Sequence, residues 1–171
     1  MISNVPLPES LLTNTGSFTL RRACHNDLSG LVTLLADDTI SAGRGDRAAS
    51  EDTTLYETAL EELIADPSNE ILVVVDEGDW PVATMQLTRI PGLSRRGSTR
   101  LLVEAVRVAN NQRSNGLGSA MMKWVIDVAA RATGASLVQL TSDAARVDAH
   151  RFYERLGFVG SHRGFKFQIE H

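Results

Sequence analysis

A chain of 171 residues, 43% hydrophobic and 22% charged, is long enough for one domain with a real core and has an ordinary globular composition. Its 17 basic and 21 acidic residues give a net charge of −4, so no basic excess favours nonspecific nucleic-acid binding. No apolar run approaches the roughly 18 residues of a membrane span, and the N-terminus lacks a charged-then-apolar leader pattern. The one cysteine, Cys24, forms no internal disulfide or zinc pattern and reads as a small buried hydrophobe or inert thiol; adjacent His25 is a thin hint of an activated nucleophile. These features predict a cytoplasmic protein with no nucleic-acid or membrane partner and no metal.

In chain order, residues 1–16 carry Pro6, Pro8 and Gly16 and read as a flexible N-terminal tail, with a single domain over 17–171. Phe18-Thr19-Leu20-Arg21 alternates as a first strand. Asn26 or Asp27 caps a helix whose apolar positions are Leu28, Leu31, Val32, Leu34 and Leu35. Ser41-Ala42-Gly43-Arg44-Gly45-Asp46 breaks it, as a plain loop or a substrate-side lid. A second helix runs from about Glu51 to Ala65 and stops at Asp66-Pro67. Ile71–Val75 and Val82–Ile90 pair as a hairpin around Asp76-Glu77-Gly78-Asp79. After a loop through Pro91-Gly92 and Arg95-Arg96-Gly97 comes a strand over about Thr99–Val108.

The stretch Arg113-Ser114-Asn115-Gly116-Leu117-Gly118-Ser119 then opens a helix, Leu117–Arg131, in which Leu117, Met121, Trp124, Val125 and Val128 recur at helical spacing. Met121 and Trp124 are therefore core residues. Gly134 ends this helix, Leu137–Thr141 is a short strand, and Val147–Leu156 is a helix stopped by Gly157. Phe158-Val159 and Phe165-Lys166-Phe167-Gln168-Ile169 read as two final strands. Interleaved strands and helices predict one α/β (α+β) domain: a mixed central sheet of six to seven strands flanked by about four helices.

A glycine-bearing turn at a helix N-terminus offers unpaired backbone N–H groups and the positive end of the helix dipole. Arg113 adds a positive charge, and Gly118 admits an anion without a Cβ clash. No Gly-Lys-Ser or Gly-Lys-Thr closes the turn, which excludes a P-loop. Position 121 is methionine, so the dinucleotide fingerprint fails as well.

Arg113-x-x-Gly116-x-Gly118, preceded by Val108 and followed by Ala149-x-x-Phe152-Tyr153-x-x-x-Gly157-Phe158, resembles the GNAT superfamily of N-acetyltransferases. The likeness spans about residues 17–171. It extends to Leu102–Val108, Gln139–Thr141 and Ser161–Lys166, in the manner of small bacterial members.

The resemblance implies a fold in which acetyl-CoA lies in a V-shaped opening between the strand before the turn and the strand after the helix, forced apart by a bulge. It implies cofactor contacts from Val106, Arg107 and Val108 on the strand, and a diphosphate cradle of Arg113, Ser114, Asn115, Gly116, Leu117, Gly118 and Ser119. A strand N–H near Val106 would polarise the thioester carbonyl. Tyr153 matches the family tyrosine beside the thioester sulfur, a general acid for the leaving thiolate.

Glu104 is the candidate base, acting through water or orienting substrate, with a structural salt bridge to Arg107 or Arg100 as the alternative; simple alternation puts it on the face of Val106 and Val108 and opposite Arg107. Two positions depart from the wider family: Ser114 replaces a frequent glycine, and Arg146 a frequent asparagine. Arg146 either serves coenzyme A phosphates or points into water. Asp37, Asp38 and Arg44 are candidate substrate contacts, since paired carboxylates attract a cationic amine. The implied activity is transfer of acetyl to a primary amine of a small molecule or peptide, by direct attack, in a homodimer. The alternatives are another acyl group or acceptor, or an acyl-CoA sensor without turnover; a DNA-binding regulator is disfavoured because no basic recognition helix is present.

Overall fold

The computed structural model describes residues 1–38, 43 and 49–169. The first surprise lies at the N-terminus. Residues 9–16, expected within a flexible tail, instead build β1 (Glu9–Thr13) and the turn into β2 (Gly16–Arg22). Ile2, Val5 and Leu11 are buried, at 1%, 3% and 5% exposure. Three apolar side chains withdrawn from water each contribute about 1.5–3 kcal/mol, which holds this segment on the body despite its prolines.

The chain continues through α1 (Leu28–Ala36), α2 (Thr53–Ala65), β3 (Asn69–Val75), β4 (Pro81–Ile90) and β5 (Arg100–Val108). Helix α3 begins at Leu117–Trp124 and runs on through a π-helical stretch, Val125–Ala129, to Ala130–Ala132. Strand β6 (Leu137–Leu140) and helix α4 (Val147–Arg155) follow. Gly134 and Gly157 take the left-handed φ values of 68° and 90° that end α3 and α4, as expected.

The six strands stand in sequence order, antiparallel throughout except for the parallel pair β5–β6. Both faces are covered, which is why Ile71–Val75 reads as an unbroken apolar run. On one face Leu11, Leu20, Leu72, Val74, Met85, Leu101 and Val103 pack with Leu117, Met121, Trp124 and Val125 of α3. On the other, Val73 and Val75 meet Leu31 and Leu60 of α1 and α2. Helix α1 comes so close to β4 that a Cβ on Gly30 would lie 2.6 Å from Pro81.

Three further readings change. Among the described residues the sheet has six strands, and Phe158-Val159 and 165–169 are not among them. Cys24 is exposed rather than buried. Asp27 stands at the N-cap of α1, but its carboxylate caps no helix amide; it takes the Cys24 N–H (2.8 Å) and two nitrogens of Arg21 (2.8 and 2.9 Å). Residues 41, 42 and 44–46 of the proposed lid, Arg44 among them, lie outside the described residues.

Candidate active site

The parallel pairing of β5 with β6 stops at Val103↔Leu140. Beyond it β5 runs on without β6, still paired with β4 through a bulge between Thr84 and Gln86 where Ala105 takes a φ of 50°. An extra residue bends a strand and ends its pairing. The result is an opening whose wall is residues 104–108.

Ala109 donates to Val82 (2.9 Å), so by antiparallel alternation Arg107 bonds toward β4 while the backbone groups of Val106 and Val108 face the opening. Their carbonyls accept from side chains there: Val106 from Arg107 (2.9 Å) and Val108 from the Nε of Arg113 (3.1 Å). Arg113, read as a phosphate contact, is thus also a brace between the turn and the strand.

The bulge overturns the alternation argument for Glu104. Leu101 and Val103 face α3, and so do Val106 and Val108, because the extra residue resets the period. Glu104 therefore shares a face with Arg107, not with the valines. It is exposed there, and Arg107 reaches Asp38 at the end of α1, at 3.9 Å.

The turn after β5 runs through a short 3-10 helix, Asn110–Gln112, to Ser114 and Gly116, whose φ values of 65° and 86° are left-handed. The Gly116 carbonyl starts α3 by accepting from Ala120 (2.9 Å). The amides of Leu117, Gly118 and Ser119 precede that bond, and no intrahelical acceptor exists for them. They point out of the N-terminus of a long helix, beside Arg113. A Cβ on Gly118 would make only ordinary contacts, 3.5 Å from Phe152 and 3.8 Å from Val108. Packing within the protein therefore does not demand glycine there.

Sequence reasoning missed one neighbour of this turn. Asn14, at the tip of the β1–β2 hairpin, donates its N–H to the Asn115 carbonyl (3.2 Å), and its side chain lies 3.6 Å from where a Gly116 Cβ would be. The available signal was Asn14-Thr15-Gly16 between two runs with β propensity, a hairpin pattern.

Helix α4 brings in Tyr153. Its ring packs edge-on to Phe152 (5.1 Å) and Phe158 (5.8 Å), and Phe152 reaches Gly118. Burial pushes the phenol above its ordinary pKa, against the opposing positive fields of Arg107 and Arg146. It is therefore protonated at neutral pH and able to donate. Arg146, at the N-cap of α4, does not point into water: both its Nη atoms bond Asp38, the Nη1–Oδ1 contact at 2.8 Å. Asp37 bonds Asn110 through its amide N–H (3.3 Å) and its Nδ2 (2.5 Å). The two carboxylates read as amine ligands thus join the end of α1 to the ends of the opening. His150 bonds the Asp143 carbonyl (2.8 Å). Among the described residues no cluster of histidine, cysteine and carboxylate side chains could hold a metal, and no helix is long and apolar enough to cross a membrane.

The fold recurs in known proteins. A Bacillus halodurans C-125 protein described as a transcriptional regulator is 38% identical, with a TM-score of 0.83 over 89% of this chain and 99% of its own. Glucosamine-6-phosphate N-acetyltransferase from Arabidopsis thaliana shares the fold, with a TM-score of 0.71 at 20% identity over 90% of this chain and 99% of its own. The aminoalkylphosphonate N-acetyltransferase of Salmonella typhimurium is 37% identical over 63 residues, 37% of this chain. The match spans only 40% of that enzyme's length. Residues 31–158 match the model of the acetyltransferase (GNAT) family. That match covers the bulged strand, the turn and α4 together, and the chain belongs to this family.

Proposed function

We propose that this protein transfers acetyl from acetyl-CoA to the primary amine of a small molecule, by direct attack in a ternary complex, as a cytoplasmic homodimer. The reading is supported by the opening where β5 and β6 part, the amide-bearing start of α3 at the end of β5, and a buried, protonated Tyr153 on which the charges of Arg107 and Arg146 act. The cofactor's chemistry is an activated thioester carbonyl. Its diphosphate fits the amides of Leu117, Gly118 and Ser119, with Ser114 and Asn115 in the same turn and Arg113 beside it. Its pantetheine arm fits the strand face of Val106 and Val108, with Arg107 between them.

The Val106 N–H, on the open side of β5, is a fixed donor for the oxygen on which charge builds. Glu104 takes a proton from the attacking amine through water, and Tyr153 gives its phenolic proton to the departing sulfur. Both groups then re-equilibrate with solvent. Arg107 and Arg146, whose fields reach the phenol, favour the negative charge that proton donation leaves behind. Asp38 positions both cations.

Calorimetry with acetyl-CoA, and thiol release across a panel of amines that includes an aminoalkylphosphonate, test this reading. Amine-dependent release that is lost in Tyr153→Phe and Glu104→Gln, with cofactor binding intact, supports it. Binding without amine-dependent release would identify a sensor instead. Gly118→Ala separates scaffold from site. It is expected to fold normally and to bind acetyl-CoA at least tenfold more weakly, because its contacts within the protein are ordinary while its Cβ would stand between an anion and the helix amides.

A further inference from the structure

Asn14 stands at the tip of the β1–β2 hairpin, where asparagine has two ordinary uses. It tolerates a left-handed φ, or its side chain closes a turn on its own backbone two residues on. Neither applies here. Asn14 and Thr15 are not among the residues with positive φ. Thr13 closes the turn instead: its hydroxyl takes the Thr15 N–H (3.2 Å) and donates to the Gly16 carbonyl (2.9 Å). Asn14 is exposed, and among the described residues its carboxamide bonds no other group.

The carboxamide is directed to the turn before α3. Its Nδ2 is the atom nearest to where a Gly116 Cβ would stand, at 3.6 Å, with its Cγ next at 3.8 Å. Gly116 is the N-cap of α3, and the amides of Leu117, Gly118 and Ser119 open from it. An anion held by those amides lies against the N-cap, on which the carboxamide rests. The placement is fixed from two sides. The Asn14 N–H is bonded to the Asn115 carbonyl (3.2 Å). Leu11, three residues before Asn14, and Leu117, at the start of α3, are buried in one core. Tip and turn cannot part without opening that core, so the donor is already in place when a ligand arrives.

We propose that Asn14 is a ligand of the cofactor's diphosphate: its carboxamide donates to a phosphate oxygen held at the start of α3, which makes the β1–β2 hairpin part of the cofactor site. The inference rests on the diphosphate reading above and adds to it a residue from far upstream of the turn. An amide nitrogen brings two N–H donors and no charge. It therefore supplements the helix amides and Arg113 with a directional bond to an anion.

The test is calorimetry on the full chain. Asn14→Ala is expected to weaken acetyl-CoA about tenfold, the loss of one hydrogen bond to a charged group. Dephospho-CoA, which lacks the 3′-phosphate and keeps the diphosphate, is expected to weaken by the same factor. Asn14→Asp, similar in shape and anionic, should weaken both further. Thr15→Ala, at the neighbouring exposed position of the tip, should bind as the wild type does. All three variants keep the backbone N–H on Asn115, and denaturant unfolding is expected to show unchanged stability. If Asn14→Ala and Asn14→Asp bind like the wild type, or Thr15→Ala loses as much as Asn14→Ala, the hairpin is only a brace; the inference is overturned and the diphosphate reading stands. Loss for acetyl-CoA without loss for dephospho-CoA puts Asn14 on the other phosphate and overturns it too. A wild type that binds neither compound overturns the diphosphate reading itself, and this inference with it.

Discussion

Residues 9–13 and 165–169 are both short segments with apolar side chains, one near each end of the chain, and they meet opposite fates. The first buries Leu11 to 5% and forms a ladder with β2; the second leaves Phe165 at 91% and pairs with nothing in its own chain among the described residues. The tail is the more hydrophobic of the two, so hydrophobicity does not separate them. Distance to a partner does. β1 finds β2 across a tight turn, with Gly16 at a φ of 147°, so closing the pair costs little chain entropy. The tail follows α4, and no described strand precedes it across a tight turn. Each end also touches a different part of the site. Asn14 braces the turn that would hold the diphosphate, and Phe158 braces Tyr153.

That division can be broken at several points. The largest effect is expected at the C-terminal wall. Tyr153→Phe should lower kcat by about 10²–10⁴-fold, the range for a general acid, while calorimetry shows unchanged cofactor affinity. Since burial raises the phenol, the wild-type rate should hold on the alkaline side until the pH passes the ordinary tyrosine value of about 10; a Tyr153-dependent fall near neutrality would refute that assignment.

At the N-terminal end the expected effect is on folding. Leu11→Ala should cost about 2–5 kcal/mol in denaturant unfolding, whereas Phe167→Ala, read in samples dilute enough to be monomeric, should change stability by less than about 0.5 kcal/mol. Equal effects would abolish the contrast between the ends.

Smaller, and dependent on pH, is the lock behind β2. Burial pushes the Asp27 carboxyl up, but the Arg21 guanidinium and the Cys24 amide outweigh it and hold the carboxyl below its ordinary value. A depressed folded pKa gives stability that is complete above the ordinary carboxylate range and lost as the pH falls through the folded value. Asp27→Asn should therefore cost about 2–3 kcal/mol at pH 7. Its stability should converge with that of the wild type in acid; a gap that persists at pH 2 would show a packing effect instead.

The smallest expected change sharpens the role of the Asn14 brace. Gly116→Ala places a side chain at a φ of 86°, worth about 1–2 kcal/mol of strain. Cofactor affinity should fall with it, with kcat retained at saturation.

Much of the site was legible because its signals are local. A turn that needs left-handed φ values writes glycine at 116, and a helix that ends sharply writes glycine at 134 and 157. Met121 and Trp124 announce burial by helical spacing and are 0% and 5% exposed. The resemblance to the family contributed the bulge and the opening, which no composition or period carries. What escaped was long-range or depended on register. Asp38 and Arg146 are 108 positions apart, and nothing near either marks the pair. Glu104 was assigned to the wrong face because alternation counts residues and a bulge adds one without a mark in the sequence.

The chain's own residues therefore determined the order of elements, the α/β class, the glycine turn before α3 and the tyrosine helix, because periodicity and backbone conformational demand act over a few residues. Only the folded sheet decided that the N-terminus is core, that residues 165–169 take no place in the sheet among the described residues, and that Asp38 holds two arginines. Those outcomes depend on which edges and charges meet across the sheet, and that is a property of the assembled topology rather than of any stretch of sequence.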